Sequence, residues 1–80
     1  MRDVTKERRN RGIRIAEIVI DGSPMRCKVR HLSASSAIVQ TLDAPFMPAA
    51  FGLRIPSVGR DFYCSVIWRD ERRLGVTFLN

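Results

Sequence analysis

The chain has 80 residues, with 14 lysines and arginines against 8 acidic residues, so its formal charge is +6, and 45% of its residues are hydrophobic. This length and composition indicate one small, basic, soluble domain, because a chain this short buries too little surface to form a deep enzyme cleft. No apolar stretch approaches the roughly 18 residues of a membrane span, and the charged N-terminus lacks the apolar core of a signal peptide, so we expect a cytoplasmic protein.

The first segment of the chain is a basic arm. Residues 1–14 carry six basic side chains against two acidic ones, a net charge of 6 − 2 = +4. Residues 1–11 are polar and have no repeating apolar position, which is typical of a flexible segment. We therefore predict a flexible basic N-terminal arm over residues 1–11 and a folded domain over residues 12–80.

From residue 12 onward the dominant hydrophobic period is two, which is typical of half-buried β-strands. The first strand is rich in β-branched residues on both faces, so its register is harder to assign. The second gives the clearest alternation, Met-Arg-Cys-Lys-Val-Arg over residues 25–30, with the apolar side chains on one face and the cations on the other. The pattern predicts six strands, at about residues 12–20, 24–32, 36–42, 50–55, 60–69 and 73–79.

Turn-forming residues separate these segments, notably Asp21-Gly22 between the first two strands and residues 70–73 between the last two. Short strands at this spacing without a convincing helix predict an all-β fold, a small six-stranded antiparallel β-barrel with no substantial C-terminal helix. Closure removes the exposed edges that a small sheet tolerates poorly. The core is expected to contain the inward aromatic side chains Phe51, Phe62, Trp68 and Phe78.

Residues that could support catalysis are scarce. His31 is the single histidine, and Cys27 and Cys64 lie on different strands at inward positions, where we expect reduced thiols that act as small core hydrophobes. We therefore predict no enzyme activity, no catalytic residues, no metal site and no cofactor.

Two features suggest ligand binding. The arm contains Arg8, Arg9 and Arg11, and the end of the second strand carries a turn of small hydroxyl residues over positions 31–37. Arginine binds phosphate oxygens, pairs with the O6 and N7 edge of guanine and stacks on purines, so the two segments together could form a pocket for an anionic purine nucleotide. By composition alone, a solvated tail beside an ordinary turn is the more common outcome.

The pattern of the whole chain resembles that of a PilZ domain. The resemblance covers about residues 7–79 and rests on Glu-Arg-Arg at 7–9, Cys-x-Val-Arg-x-Leu-Ser at 27–33 with Ser-Ala at 36–37, Phe-x-Leu-x-Ile at 51–55, Cys-x-Val-x-Trp-Arg at 64–69 and Leu-Gly-Val-x-Phe at 74–78. It implies a six-stranded antiparallel barrel that acts as a bacterial receptor for the second messenger cyclic di-GMP. The residues implied to bind the ligand are Arg8, Arg9, Arg11, His31, Ser33 and Ser36.

The match to the two ligand motifs of that family is partial. In the D/N-x-S-x-x-G turn Ser33 is retained, but His31 stands where Asp or Asn is expected and Ser36 where Gly is expected. Imidazole offers fewer acceptors to a guanine edge than a carboxylate does, and serine lacks the freedom of glycine to adopt positive φ. The second motif is R-x-x-x-R in the arm before the first strand, and none of Arg8, Arg9 and Arg11 is followed by an arginine four positions later. The literal R-x-x-x-R, Arg26 to Arg30, lies on the outer face of the second strand and is interpreted as coincidental.

These departures predict a weakened affinity for cyclic di-GMP and leave two alternatives open. One is a degenerate domain that no longer binds the nucleotide and acts as a protein adaptor. The other is a nucleic-acid-binding barrel that uses the arm and the outer cations of the second strand, although few outward aromatic residues are available for base stacking. The expected partners are therefore cyclic di-GMP and an unidentified downstream protein, whereas nucleic acid is disfavoured.

Two features bear on protein partners. Many PilZ domains continue into a C-terminal helix that these 80 residues do not contain, so we expect an open barrel end that a homodimer or a partner could cover. Phe46 and Met47 lie in a proline-bounded loop. They could form an exposed apolar contact or be buried by a loop that folds over the barrel.

Overall fold

The computed structural model describes residues 12–80, which form six β-strands and one short 3₁₀ helix. No helix in this part of the chain is long and apolar enough to cross a membrane. The predicted all-β class and the six-strand count are confirmed, and the ends of all six strands lie within two residues of the expected positions. The elements are β1 Ile13–Ile20, β2 Ser23–Arg30, β3 Ser36–Gln40, the helix Ala44–Phe46, β4 Ala50–Ile55, β5 Arg60–Arg69 and β6 Arg73–Phe78.

The strands form a closed antiparallel barrel in the order β1-β2-β3-β6-β5-β4, and β4 pairs with β1 to complete the circle. Closure satisfies the backbone donors and acceptors that an open sheet of this size would expose at its edges. The β1–β2 hairpin is the longest ladder, running from Ile13 opposite Arg30 to Ile20 opposite Ser23. The first strand of the folded domain therefore begins beside the last residue of β2.

The β1–β2 hairpin closes with a two-residue turn, Asp21-Gly22, in which both residues have positive φ, 52° and 80°. This is the conformation of a type I′ turn, in which aspartate followed by glycine is strongly favoured. The predicted turn is thus confirmed, and it fixes which side chains of β2 face outward.

The barrel interior is apolar throughout, and no polar or charged side chain is buried among the described residues. Alternate positions of each strand supply it, as the period of two predicts. Phe62 and Phe78 stack with ring centroids 4.2 Å apart. The expected core positions of Phe51, Phe62 and Phe78 are confirmed.

The prediction that Trp68 lies in the core is wrong. A register shift between Val66 and Trp68 inserts one extra residue into β5, so Val66 faces Val76 while Trp68 faces Gly75. A β-bulge of this kind reverses the side on which later residues point. Trp68 is 41% exposed and covers Gly75 from outside the barrel.

The loop between β3 and β4 folds back over β5 and separates the two apolar residues that it carries. Met47 is buried, whereas Phe46 is 82% exposed. The Arg69 guanidinium holds this loop, because its Nη1 donates to the carbonyl oxygens of Ala44 at 3.0 Å and Met47 at 2.7 Å. The sequence leaves two outcomes open for these residues, and both occur: Met47 is buried by the loop, and Phe46 is exposed.

Candidate functional site

The turn between β2 and β3 is organised around the Ser33 hydroxyl. Its Oγ accepts hydrogen bonds from the backbone N–H groups of Ser35 at 3.3 Å and Ser36 at 3.1 Å. The two hydroxyls of Ser33 and Ser36 are 3.1 Å apart, and the Ser33 N–H donates to the Ser36 carbonyl at 2.9 Å. Small hydroxyl residues favour such local side-chain to backbone bonds. The Ser33 side chain therefore holds the turn and directs little of its bonding capacity outward.

His31 begins this turn with a left-handed backbone, φ 53°, and an exposed ring. Histidine, asparagine and aspartate occupy this region more readily than most residues. The position that carries His31 thus has the backbone conformation that an aspartate or asparagine would accept. Ser36, by contrast, lies at the start of β3 and does not have positive φ, so the expected need for glycine-like freedom at that position is not found.

The turn is also fixed to β6, the strand next to β3 in the barrel. The Ser35 carbonyl accepts from the Phe78 N–H at 2.8 Å and from the Thr77 hydroxyl at 3.1 Å. These bonds join the turn to the last residues of β6. The exposed side chains of His31 and Ser33 therefore project from a backbone that is held at both ends.

A row of cations leads along the outer face of β2 to this turn. Arg26, Lys28 and Arg30 alternate with the buried Cys27 and Val29, so all three point to solvent. Arg30 Nε donates to Gln40 Oε1 on β3 at 2.8 Å. Within residues 12–80, none of the three forms a salt bridge with a carboxylate.

This row lies in an open groove of about 550 Å³ on the outside of the barrel. Ile13 and Ile15 of β1 flank the cations on one side, and the segment 40–43 together with Arg72 lies on the other. The Thr41 N–H donates to the Arg72 carbonyl at 3.0 Å, which joins the segment after β3 to the β5–β6 turn. The volume falls within the range of about 300–1,000 Å³ that is usual for small-molecule sites.

Sequence reasoning identified only part of this groove. The outward cations of β2 follow from the alternation, but the spacing of Arg26 and Arg30 alone indicates no site, and the sequence predicts only a turn at the position of Arg72. Leu42 and Asp43 were not singled out. Closure of the barrel through β3 and β6 brings these residues together, and nothing in the local sequence marks them as neighbours.

The predicted arm residues Arg8, Arg9 and Arg11 lie outside the described residues. The first described strand does show where the arm joins the domain. Ile13 is opposite Arg30 in the β1–β2 ladder, so the chain enters the barrel at the end of β2 that carries the turn.

The two cysteines lie in the core, as expected. Burial, reinforced by the neighbouring Cys64, raises the pKa of the Cys27 thiol to about 12, and burial raises the pKa of Cys64 to about 12. A thiol that stays protonated is a poor nucleophile and a poor metal ligand. Across residues 12–80, no three histidine, cysteine or carboxylate side chains are grouped so that they could hold a metal ion.

Comparisons with protein-family models, with curated proteins and with solved structures found no match to this chain.

Proposed function

We propose that this domain is a signalling receptor that binds cyclic di-GMP and passes the signal to a protein partner. The observation that carries the proposal is the row of Arg26, Lys28 and Arg30, which forms no salt bridge within residues 12–80 and runs into the turn containing His31 and Ser33. A dinucleotide with two phosphates needs several positive groups of this kind, and Glu17, which lies opposite Arg26 on β1, forms its ion pair with Arg54 instead.

The chemistry of the turn argues for weak binding. The Ser33 hydroxyl is hydrogen-bonded to the backbone of the turn, so its role is to hold His31 and the following backbone in place. His31 offers one acceptor nitrogen when neutral and none when protonated. The loss of one charge-assisted hydrogen bond lowers affinity by about ten- to a hundredfold, so a carboxylate at this position would bind a guanine edge more tightly.

A titration of the purified domain with cyclic di-GMP tests the proposal. GTP and a short duplex DNA serve as controls, each at two salt concentrations. Saturable binding that is selective for cyclic di-GMP supports a second-messenger receptor. Binding of all three ligands with an affinity that falls steeply with salt would instead indicate a general polyanion surface, as in the nucleic-acid alternative.

A second candidate is a protein adaptor that does not bind the nucleotide. It is favoured by the mutual hydrogen bonding of Ser33 and Ser36, which leaves the turn complete without a ligand. It is also favoured by the exposure of Phe46 at 82% and Ile67 at 63%, since large apolar side chains on a surface are suited to protein contacts. A folded domain that gives no heat and no amide shift with cyclic di-GMP would support this candidate.

A further inference from the structure

We infer that the groove over β2 is the nucleotide site itself, with Arg26 and Arg30 as its phosphate ligands and Asp43 as its guanine acceptor. The inference rests on the proposed function, and it places the nucleotide on residues outside the turn and the arm. Three properties of the groove support it: the order of charged and apolar groups across it, the spacing of the arginines, and the placement of one carboxylate.

The groove has an exposed aliphatic side chain on each side of its cations, although the side formed by residues 40–43 and Arg72 is otherwise polar. Ile15 on β1 is 53% exposed, and Leu42 beyond β3 is 74% exposed, with the cations of β2 between them. Exposed aliphatic surface beside cations that form no salt bridge within residues 12–80 suits a ligand that combines flat apolar rings with negative charge. Cyclic di-GMP has this arrangement, because its two phosphates lie in a central ring and its two guanines lie to either side.

Arg26 and Arg30 stand on the same face of one strand. Residues four apart on a strand point the same way and are separated by about 13 Å along it. A rigid strand holds both guanidinium groups without ordering a segment of chain, so binding loses less conformational entropy than it does with a flexible arm. Lys28 lies between them and adds a third positive charge.

Asp43 supplies the acceptor that the turn lacks. Asp43 lines the groove, and its carboxylate makes no salt bridge with the described cations. The Asp43 N–H donates to the Thr41 hydroxyl at 3.2 Å, which fixes the start of the loop. A carboxylate accepts from the N1–H and amino groups of guanine, whereas adenine offers no donor at N1. The groove should therefore prefer guanine to adenine.

The test measures the affinities of cyclic di-GMP and cyclic di-AMP for the wild type, for four single variants of exposed groove residues and for one control variant. Arg26→Gln and Arg30→Gln should each weaken binding of cyclic di-GMP by about ten- to a hundredfold, and Leu42→Gln by about tenfold. Asp43→Asn should reduce the preference for guanine over adenine by about tenfold or more. Arg60→Gln is the matched control, since it removes one exposed cation outside the groove and should change affinity less than about twofold.

The outcomes separate the two proposals. If cyclic di-GMP binds the wild type and the four variants alike, the groove assignment is overturned while the receptor function stands. If cyclic di-GMP does not bind the wild type, the receptor function is overturned. A titration with GMP, followed by backbone amide shifts, then decides whether the groove is a nucleotide site. Shifts at residues 26–30 and 40–43 would retain the groove as a site for mononucleotides, and their absence would overturn the groove as well.

Discussion

The indole of Trp68 occupies the space that a side chain at position 75 would fill. The two residues are cross-strand partners on β5 and β6, and a Cβ added to Gly75 would collide with the Nε1, Cε2 and Cδ1 atoms of the indole. The Arg73 guanidinium lies 5.6 Å from the centre of the same ring. Covering a strand glycine with a cross-strand aromatic ring compensates for the packing surface that the glycine lacks.

Gly75→Ala is therefore expected to destabilise the barrel by about 1–3 kcal/mol, because the indole must leave its position to admit the methyl group. Urea unfolding followed by tryptophan fluorescence measures the change in the free energy of unfolding. Gly52→Ala is the control, since its Cβ would come no closer than 3.4 Å to another atom. An equal effect of the two substitutions would contradict the specific role of the Trp68 ring.

Arg69→Met should release the loop that contains the 3₁₀ helix. The substitution keeps an aliphatic side chain of similar length but removes the donor that reaches the Ala44 and Met47 carbonyls. We expect a loss of about 1–2 kcal/mol in the free energy of unfolding, together with faster amide hydrogen exchange over residues 43–49. Unchanged exchange in this segment would show that the Arg69 guanidinium does not secure the loop.

Asp70 should make the barrel sensitive to acid. Hydrogen bonds from the side chain of Arg73 and the backbone N–H of Arg72 lower the pKa of this carboxyl below its ordinary value of 3.8. A carboxyl whose folded-state pKa is lowered contributes stability above its unfolded pKa, and that contribution is lost as the pH falls through the folded pKa. The wild type should exceed Asp70→Asn in stability at neutral pH, and the difference should shrink below 3.8. A difference that is constant with pH in urea titrations would contradict the linkage.

The alternation of apolar and polar residues was sufficient to predict the strands and most of the core, because each strand has one buried face. It failed at Trp68, since Ile67 and Trp68 are both apolar and nothing local marks the extra residue of the bulge. The same limit applies to the groove. The outward cations of β2 were predictable, but Leu42 and Arg72 join them only because β3 and β6 become neighbours when the barrel closes.

The two buried thiols should resist alkylation in the folded protein. Burial raises the pKa of each thiol from an ordinary value of 9.0 to about 12, so both stay protonated while the same groups in the unfolded chain ionise. Iodoacetamide in mildly alkaline buffer should modify the native protein far more slowly than the urea-unfolded protein. By linkage, the thiols also contribute stability that is complete below pH 9.0 and declines between 9.0 and about 12. Rapid labelling of the native domain would show that the core opens locally.

His31→Asp should be tolerated by the fold and should strengthen nucleotide binding. The backbone at this position already has φ 53°, which aspartate adopts readily, so the free energy of unfolding should change by less than about 1 kcal/mol. The carboxylate adds an acceptor for a guanine edge, and the affinity for cyclic di-GMP should rise by about tenfold. His31→Leu is the control that removes the ring nitrogens without adding an acceptor, although a leucine tolerates positive φ less well. If His31→Asp folds normally and binds no more tightly than the wild type, the turn does not contact guanine, which leaves Asp43 in the groove as the assigned acceptor.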